Sequence, residues 1–269
     1  MMKVSTFAAA ALNIAACSAP DQIAEKTGVA VASAQESGAE AESGRYEFKD
    51  SETVEGGERN FLYAWPKTVA DIPKLAAELD ERRKNALAEQ KDYWADAIES
   101  CPEDAIACRN SEFELEWKVV ADTPRFLSLS NGMYTYSGGA HGMYGRGALV
   151  WDREAERSMN PLEFFTTSQA LDDAIGAAAC DALNEERAER RGEPVPDGAS
   201  EWPNQCVSME ETGIFLGSSD GQVFDSIEVY YGPYVAGAYA EGDFQFTLPV
   251  TQAVLDAVEP GYRAAFAIK

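Results

Sequence analysis

Between Ile72 and Trp117 the spacing of apolar residues switches from the period of a helix to that of a strand, and this switch constrains the fold most. Ile72, Leu75, Leu79, Ala86, Leu87, Gln90, Trp94 and Ile98 recur near one helical face as far as about Ser100. Asp71 is placed as the N-cap and Cys101-Pro102 as the stop. From Ser111 onward, Glu112, Glu114 and Glu116 alternate with Phe113, Leu115 and Trp117, giving a strand with one wet and one apolar face. Each element leaves an apolar face that another must cover, so a layered fold of helices and sheet is expected.

The rest of the chain continues the mixture. Phe126 to Tyr136 and Gly147 to Asp152 read as strands, leaving Ser137 to Arg146 as the loop between them. Asn160-Pro161 opens a capped single turn. Ser168 is placed to cap a second long helix reaching about Arg191, with Leu171, Ile175, Ala178, Ala182 and Leu183 inward, a charged end and Gly192 as its stop. Ser226 to Tyr231 and Asp243 to Leu248 read as strands, and Thr251 to Val258 as a short helix. No βαβ spacing repeats. The expected class is therefore α+β: an antiparallel sheet packed with two long helices, in two intimately joined subdomains over residues 45–155 and 156–269.

Composition places the chain in a compartment. Met1-Met2-Lys3, an alanine-rich apolar stretch and then Cys17 make residues 1–16 a secretion signal, too short for a permanent membrane span. Ile14-Ala15-Ala16-Cys17 resembles the bacterial lipobox, which implies a lipid on Cys17; an ordinary cleavage near Ala19 is the alternative. Residues 17–44 lack aromatic and most long apolar side chains, so they read as a flexible tether with a reach of roughly 30 Å. Cys101, Cys108, Cys180 and Cys206 form an even set without CxxC spacing, and sequence neighbours suggest Cys101 with Cys108 and Cys180 with Cys206. A net charge of -24 repels nucleic acid and favours cationic partners.

His141, the sole histidine, lies in Tyr134-Thr-Tyr136-Ser-Gly-Gly-Ala-His141-Gly142. A general base needs a nucleophile or substrate proton within reach and a third group fixing its tautomer. Ser137 precedes His141, but no Gly-x-Ser-x-Gly elbow occurs in the chain. A metal would have to be held by carboxylates, and no calcium-loop pattern occurs. No catalytic residue, metal or cofactor is expected, and His141 is read as a loop or ligand-contact residue whose imidazole bonds across the hairpin. Tyr134, Tyr136, Tyr144, Tyr231 and Tyr234 are candidate ligand contacts beside it, with core packing the competing role for such rings. Glu112, Glu114 and Glu116 read as a solvated strand face.

In order, the Tyr-x-Tyr strand, the Gly-Gly-Ala-His-Gly loop, the Pro-Leu-x-Phe-Phe turn and the later Tyr230-Tyr231-Gly-Pro233-Tyr234-Val-Ala-Gly237 resemble the extracytoplasmic module of RsiV and PdaC-like proteins. That module is two adjoining domains of unknown function, and the resemblance covers residues 45–269. It implies long helices packed on antiparallel sheet. RsiV-type anti-sigma factors use the module to bind lysozyme outside the cell, and PdaC-type proteins attach it to a separate carbohydrate deacetylase domain. This chain is expected to have no sigma-binding segment, no membrane-spanning helix and no room for the deacetylase. The expectation is a non-catalytic, lipid-anchored protein of the bacterial cell envelope, on the periplasmic side of the inner or outer membrane. Its partner would be a basic protein such as lysozyme, or a cell-wall glycan. A hydrolase using His141 and a structural envelope protein are the alternatives.

Overall fold

The computed structural model describes residues 44–196 and 198–269. The expected signal peptide, the lipid on Cys17 and the tether apart from Gly44 lie outside the described residues. Among those residues no helix is long and apolar enough to cross a membrane.

Strands β1 (Tyr46–Val54), β2 (Gly57–Trp65), β3 (Ser111–Asp122), β4 (Phe126–Tyr136), β5 (Met143–Asp152) and β6 (Arg157–Met159) form one sheet in chain order. The hairpin of β1 and β2 adds to the expected strands, and it turns on Glu55 and Gly56, both at positive φ. Neighbours are antiparallel except β2 and β3, which run parallel. This corrects the expectation of a purely antiparallel sheet: helix α1 (Pro73–Ser100) separates β2 from β3 and carries the chain back to the end where β2 began. The N-cap of α1 is Ile72, with Pro73 at its first position. Asp71 instead closes the preceding turn, Lys67–Ala70, and pairs with Lys67 at 2.6 Å.

Phe61, Tyr63, Trp65, Trp117, Leu127, Leu129 and Trp151 form one core with Leu75 and Leu79 of α1. A second core belongs to β7 (Gly213–Gly217), β8 (Ser226–Tyr231) and β9 (Phe244–Pro249), a three-stranded antiparallel sheet. Ile214, Leu216, Ile227, Val229 and Phe244 pack with helix α2 (Ser168–Arg191) and with Val254 of helix α3 (Gln252–Ala257). Thr167 rather than Ser168 caps α2, accepting from the Ala170 amide at 2.9 Å, and Gly192 ends it in the left-handed conformation as expected. The buried line of α2 is Leu171, Ile175, Ala179, Leu183 and Arg187; Ala178, expected inward, is exposed. Both suggested disulfides are present, with Cα separations of 6.0 Å for Cys101–Cys108 and 5.3 Å for Cys180–Cys206.

The four-residue step of that line brings Arg187 into the core, where the sequence suggested only a charged helix end. Its guanidinium donates to Ala236 O at 2.7 and 3.0 Å, Asn184 Oδ1 at 3.0 Å, Gln205 O at 3.0 Å and Asn204 O at 3.2 Å. One side chain thereby ties α2, the loop leading into Cys206 and the loop after β8.

Candidate functional cleft and aromatic ridge

β5 begins at Met143, so the glycine loop is shorter than expected, Ser137 to Gly142. Gly145 and Gly147 belong to the strand. At Gly147 a Cβ would meet the Asn131 amide at 2.7 Å, and it is this close approach that lets Asn131 Oδ1 accept from the Gly147 amide at 3.0 Å.

The loop is clamped from both sides. Toward the first disulfide, Gly138 adopts φ +93° with its Cα packed on the backbone of Ala107 and Cys108. The Tyr136 hydroxyl lies 3.2 Å from Ala107 O and 3.1 Å from Gly139 O. At its end, Gly142 lies flat on the Tyr134 ring, where a Cβ would come within 2.4 Å of the hydroxyl oxygen. From the other half of the chain, the Tyr239 hydroxyl donates to Gly142 O at 2.8 Å, and its ring stacks on His141 with centroids 3.8 Å apart. His141 Nδ1 faces the Gly142 carbonyl at 2.9 Å. The expected bond across the hairpin is therefore replaced by a contact with the next residue and a stack on a distant one.

Tyr134 and Tyr144 are cross-strand neighbours on the outer face of the large sheet, in line with Glu114 of β3. Farther along, the same face meets the small sheet through Arg146. Its guanidinium pairs with Glu228, donates to Gln245 at 2.9 Å and lies over the Phe215 ring at 4.3 Å. Between the two sheets opens a cleft of about 630 Å³, with Glu114, Glu116 and Tyr134 on its floor and Tyr144, Tyr230 and Asp243 at its wall. Burial, together with the charges of Glu112 and Glu116, raises the pKa of Glu114. Burial likewise raises those of Tyr134 and Tyr144, with Glu112 and Asp243 respectively the next largest causes. Among the described residues Glu112, Glu114 and Asp243 have no ion-pair partner, whereas Glu116 pairs with Arg45. No group of three or more His, Cys, Asp or Glu among the described residues is arranged to hold a metal ion.

Of the residues singled out from sequence, Tyr134 and Tyr144 line the cleft, and Tyr136 anchors the loop beside it. His141 and Tyr234 lie with Tyr239 on an adjoining ridge, the Tyr234 and Tyr239 rings being 5.6 Å apart. Tyr231 does not join them: it is 1 % exposed, its ring on the core face of β8 while Tyr230 takes the cleft face. Tyr239, Arg146, Asp243 and Trp202 were not singled out. Tyr239 is an isolated aromatic in an Ala- and Gly-rich loop, its only sequence signal, and no local period marks the others.

Residues 39–144 match the family model described as Deacetylase PdaC. The sequence matches none of the curated proteins. Among solved structures, a DUF3298 family protein from Pseudomonas aeruginosa is 18% identical, covering 84% of this chain and 97% of that one with a TM-score of 0.54. A DUF3298 member from Bacteroides fragilis is 15% identical, covering 76% of this chain and 88% of that one with a TM-score of 0.47. Residues 39–144 are thus similar to the PdaC family, and the chain shares its fold with the DUF3298 protein from Pseudomonas.

Proposed function

We propose that this is a non-catalytic binding protein of the bacterial envelope, held to a membrane by a lipid on Cys17, whose cleft receives a basic macromolecule of the lysozyme type. The observation that carries the reading is a pair of carboxylates without an ion-pair partner among the described residues, Glu114 and Asp243, beside Tyr134 and Tyr144 in an open cleft, with Glu112 crowding Glu114 from the adjoining groove. Like charges held close raise the free energy of the unbound state, and an incoming arginine or lysine relieves that repulsion. The tyrosines add flat area with few rotatable bonds, which suits a protein contact. The net charge of -24 adds long-range attraction for the same partner.

The test is calorimetric titration of the protein with hen-type lysozyme at low and physiological salt. Saturable binding that weakens with salt but persists at about 0.15 M is expected. The doubly substituted Glu114→Gln, Asp243→Asn protein should bind about tenfold less tightly. Binding confined to low salt, or indifferent to the double substitution, would remove the lysozyme reading. The non-catalytic reading is supported by His141, which stacks on Tyr239 and faces the Gly142 carbonyl, with no side-chain hydroxyl bonded to its imidazole among the described residues.

A further inference from the structure

The large sheet ends at β1, and the outer edge of that strand pairs with no other strand among the described residues. Its register with β2 is unbroken over nine residues, from Tyr46 opposite Trp65 to Val54 opposite Gly57. Val54 and Gly57 flank the two-residue turn and so form a hydrogen-bonded pair, from which the pattern alternates along the strand. The Glu58 amide fits this phase, donating away from β1 to Asn110 Oδ1 at 3.0 Å. The N–H and C=O groups of Glu47, Lys49, Ser51 and Thr53 therefore point outward, and β1 carries no proline or bulge to guard them.

A lysine on an edge commonly keeps other strands away. Here Glu47 stands two positions from Lys49 on the same sheet face, both exposed, and the two reach each other at 2.7 Å. Two copies of β1 running antiparallel about a two-fold axis can hydrogen-bond only in registers that set odd-numbered residues opposite one another. Centred on Glu47, such a pair opposes two glutamates and sets Arg45 against Lys49. Centred on Lys49 it opposes two lysines, on Asp50 two aspartates, and on Ser51 it sets Asp50 against Glu52. Centred on Phe48, it places Glu47 opposite Lys49 on both sides of the axis. The two Phe48 side chains then meet as a close, non-hydrogen-bonded pair, with Cβ atoms about 4.5–5.5 Å apart. Phe48 is half-buried under the Arg83 guanidinium, 4.0 Å from its ring centre, so the ring is already placed in the free chain.

We propose that β1 is a contact between two copies of this chain, joined edge to edge in the register centred on Phe48, so that two six-stranded sheets become one. Main-chain hydrogen bonds and the Phe48 pair supply the attraction, and the alternation of Glu47 with Lys49 selects the register. No residue of β1 lines the cleft, so the inference is independent of lysozyme binding.

The test is sedimentation velocity of the full chain over a concentration series at about 0.15 M salt, where repulsion between two acidic copies is screened beyond about 8 Å. A reversible equilibrium of monomer and dimer is expected. As the dimer forms, the amides of Glu47 and Lys49 should gain protection from hydrogen exchange, while that of Thr53, beyond the paired stretch, does not. Lys49→Glu opposes glutamates on both sides of the axis and Glu47→Lys opposes lysines, so each should weaken dimerisation about tenfold or more. The double exchange Glu47→Lys, Lys49→Glu should restore it. Both positions face solvent, and matching circular dichroism spectra check that each variant is folded. A chain that stays monomeric throughout, a dimer indifferent to Lys49→Glu, or a double exchange that fails to restore pairing would overturn the proposal.

Discussion

Asp152 closes the turn after β5 and is 1% exposed. Burial works to raise its pKa, but the Arg125 guanidinium at 2.8 Å and the amides of Ala155 and Glu154 outweigh burial and hold it below the usual aspartate value. A depressed folded-state pKa contributes stability that is present above the unfolded pKa and is lost as pH falls through the folded one. Asp152→Asn should therefore cost about 2 kcal/mol at neutral pH, and the difference should shrink as pH falls below the aspartate range, measured by urea unfolding. Glu114 has the opposite sign. Its raised pKa means that stability falls as pH rises from the unfolded to the folded value. These roles come from partners that converge in space, and neighbouring sequence names few of them. Local sequence marked His141 as the sole imidazole, but only the fold supplied Tyr239 as its stacking partner.

Where a local period governs an element, the sequence was a good guide. The alternation through Glu112 to Trp117 gave β3, and the apolar repeat from Leu75 gave α1. Leu171, Ile175 and Leu183 of the α2 line were legible, Ala179 was not, and Arg187 continues the line. A charge hides it from a search for apolar repeats, although its place in the repeat points inward. Arg187→Ala leaves the carbonyls of Ala236, Asn204 and Gln205 without their donor and opens a cavity, so it should destabilise the protein by about 3–5 kcal/mol in thermal or urea unfolding. A cost below about 1 kcal/mol would mean that water or neighbouring donors replace the guanidinium. Less legible were the parallel pairing of β2 with β3 and the strand β7. Pairing direction depends on where α1 returns the chain, and β7 is short and buried, without an alternating pattern.

At the scale of the whole molecule, a net charge of -24 places most acidic groups in mutual repulsion, with surface ion pairs such as Lys74–Glu156 offsetting part of it. Raising salt from about 10 to 150 mM shortens the Debye length from about 30 to 8 Å, so the urea midpoint should rise. A falling midpoint would show that the ion pairs outweigh the repulsion. The same screening should weaken lysozyme binding at the cleft. By itself the sequence determined the mixed class, the span of both long helices, the disulfide partners and the two motifs, because period, caps and cysteine spacing act over short stretches of chain. Only the tertiary structure decided that the glycine loop and the Tyr-Tyr-Gly-Pro-Tyr segment share one ridge through Tyr239, that Arg146 joins two sheets at a cleft, and that Tyr231 belongs to the core. Those contacts join residues about a hundred positions apart, as in the Tyr239 hydroxyl on Gly142 O, and their geometry is set by how two cores pack.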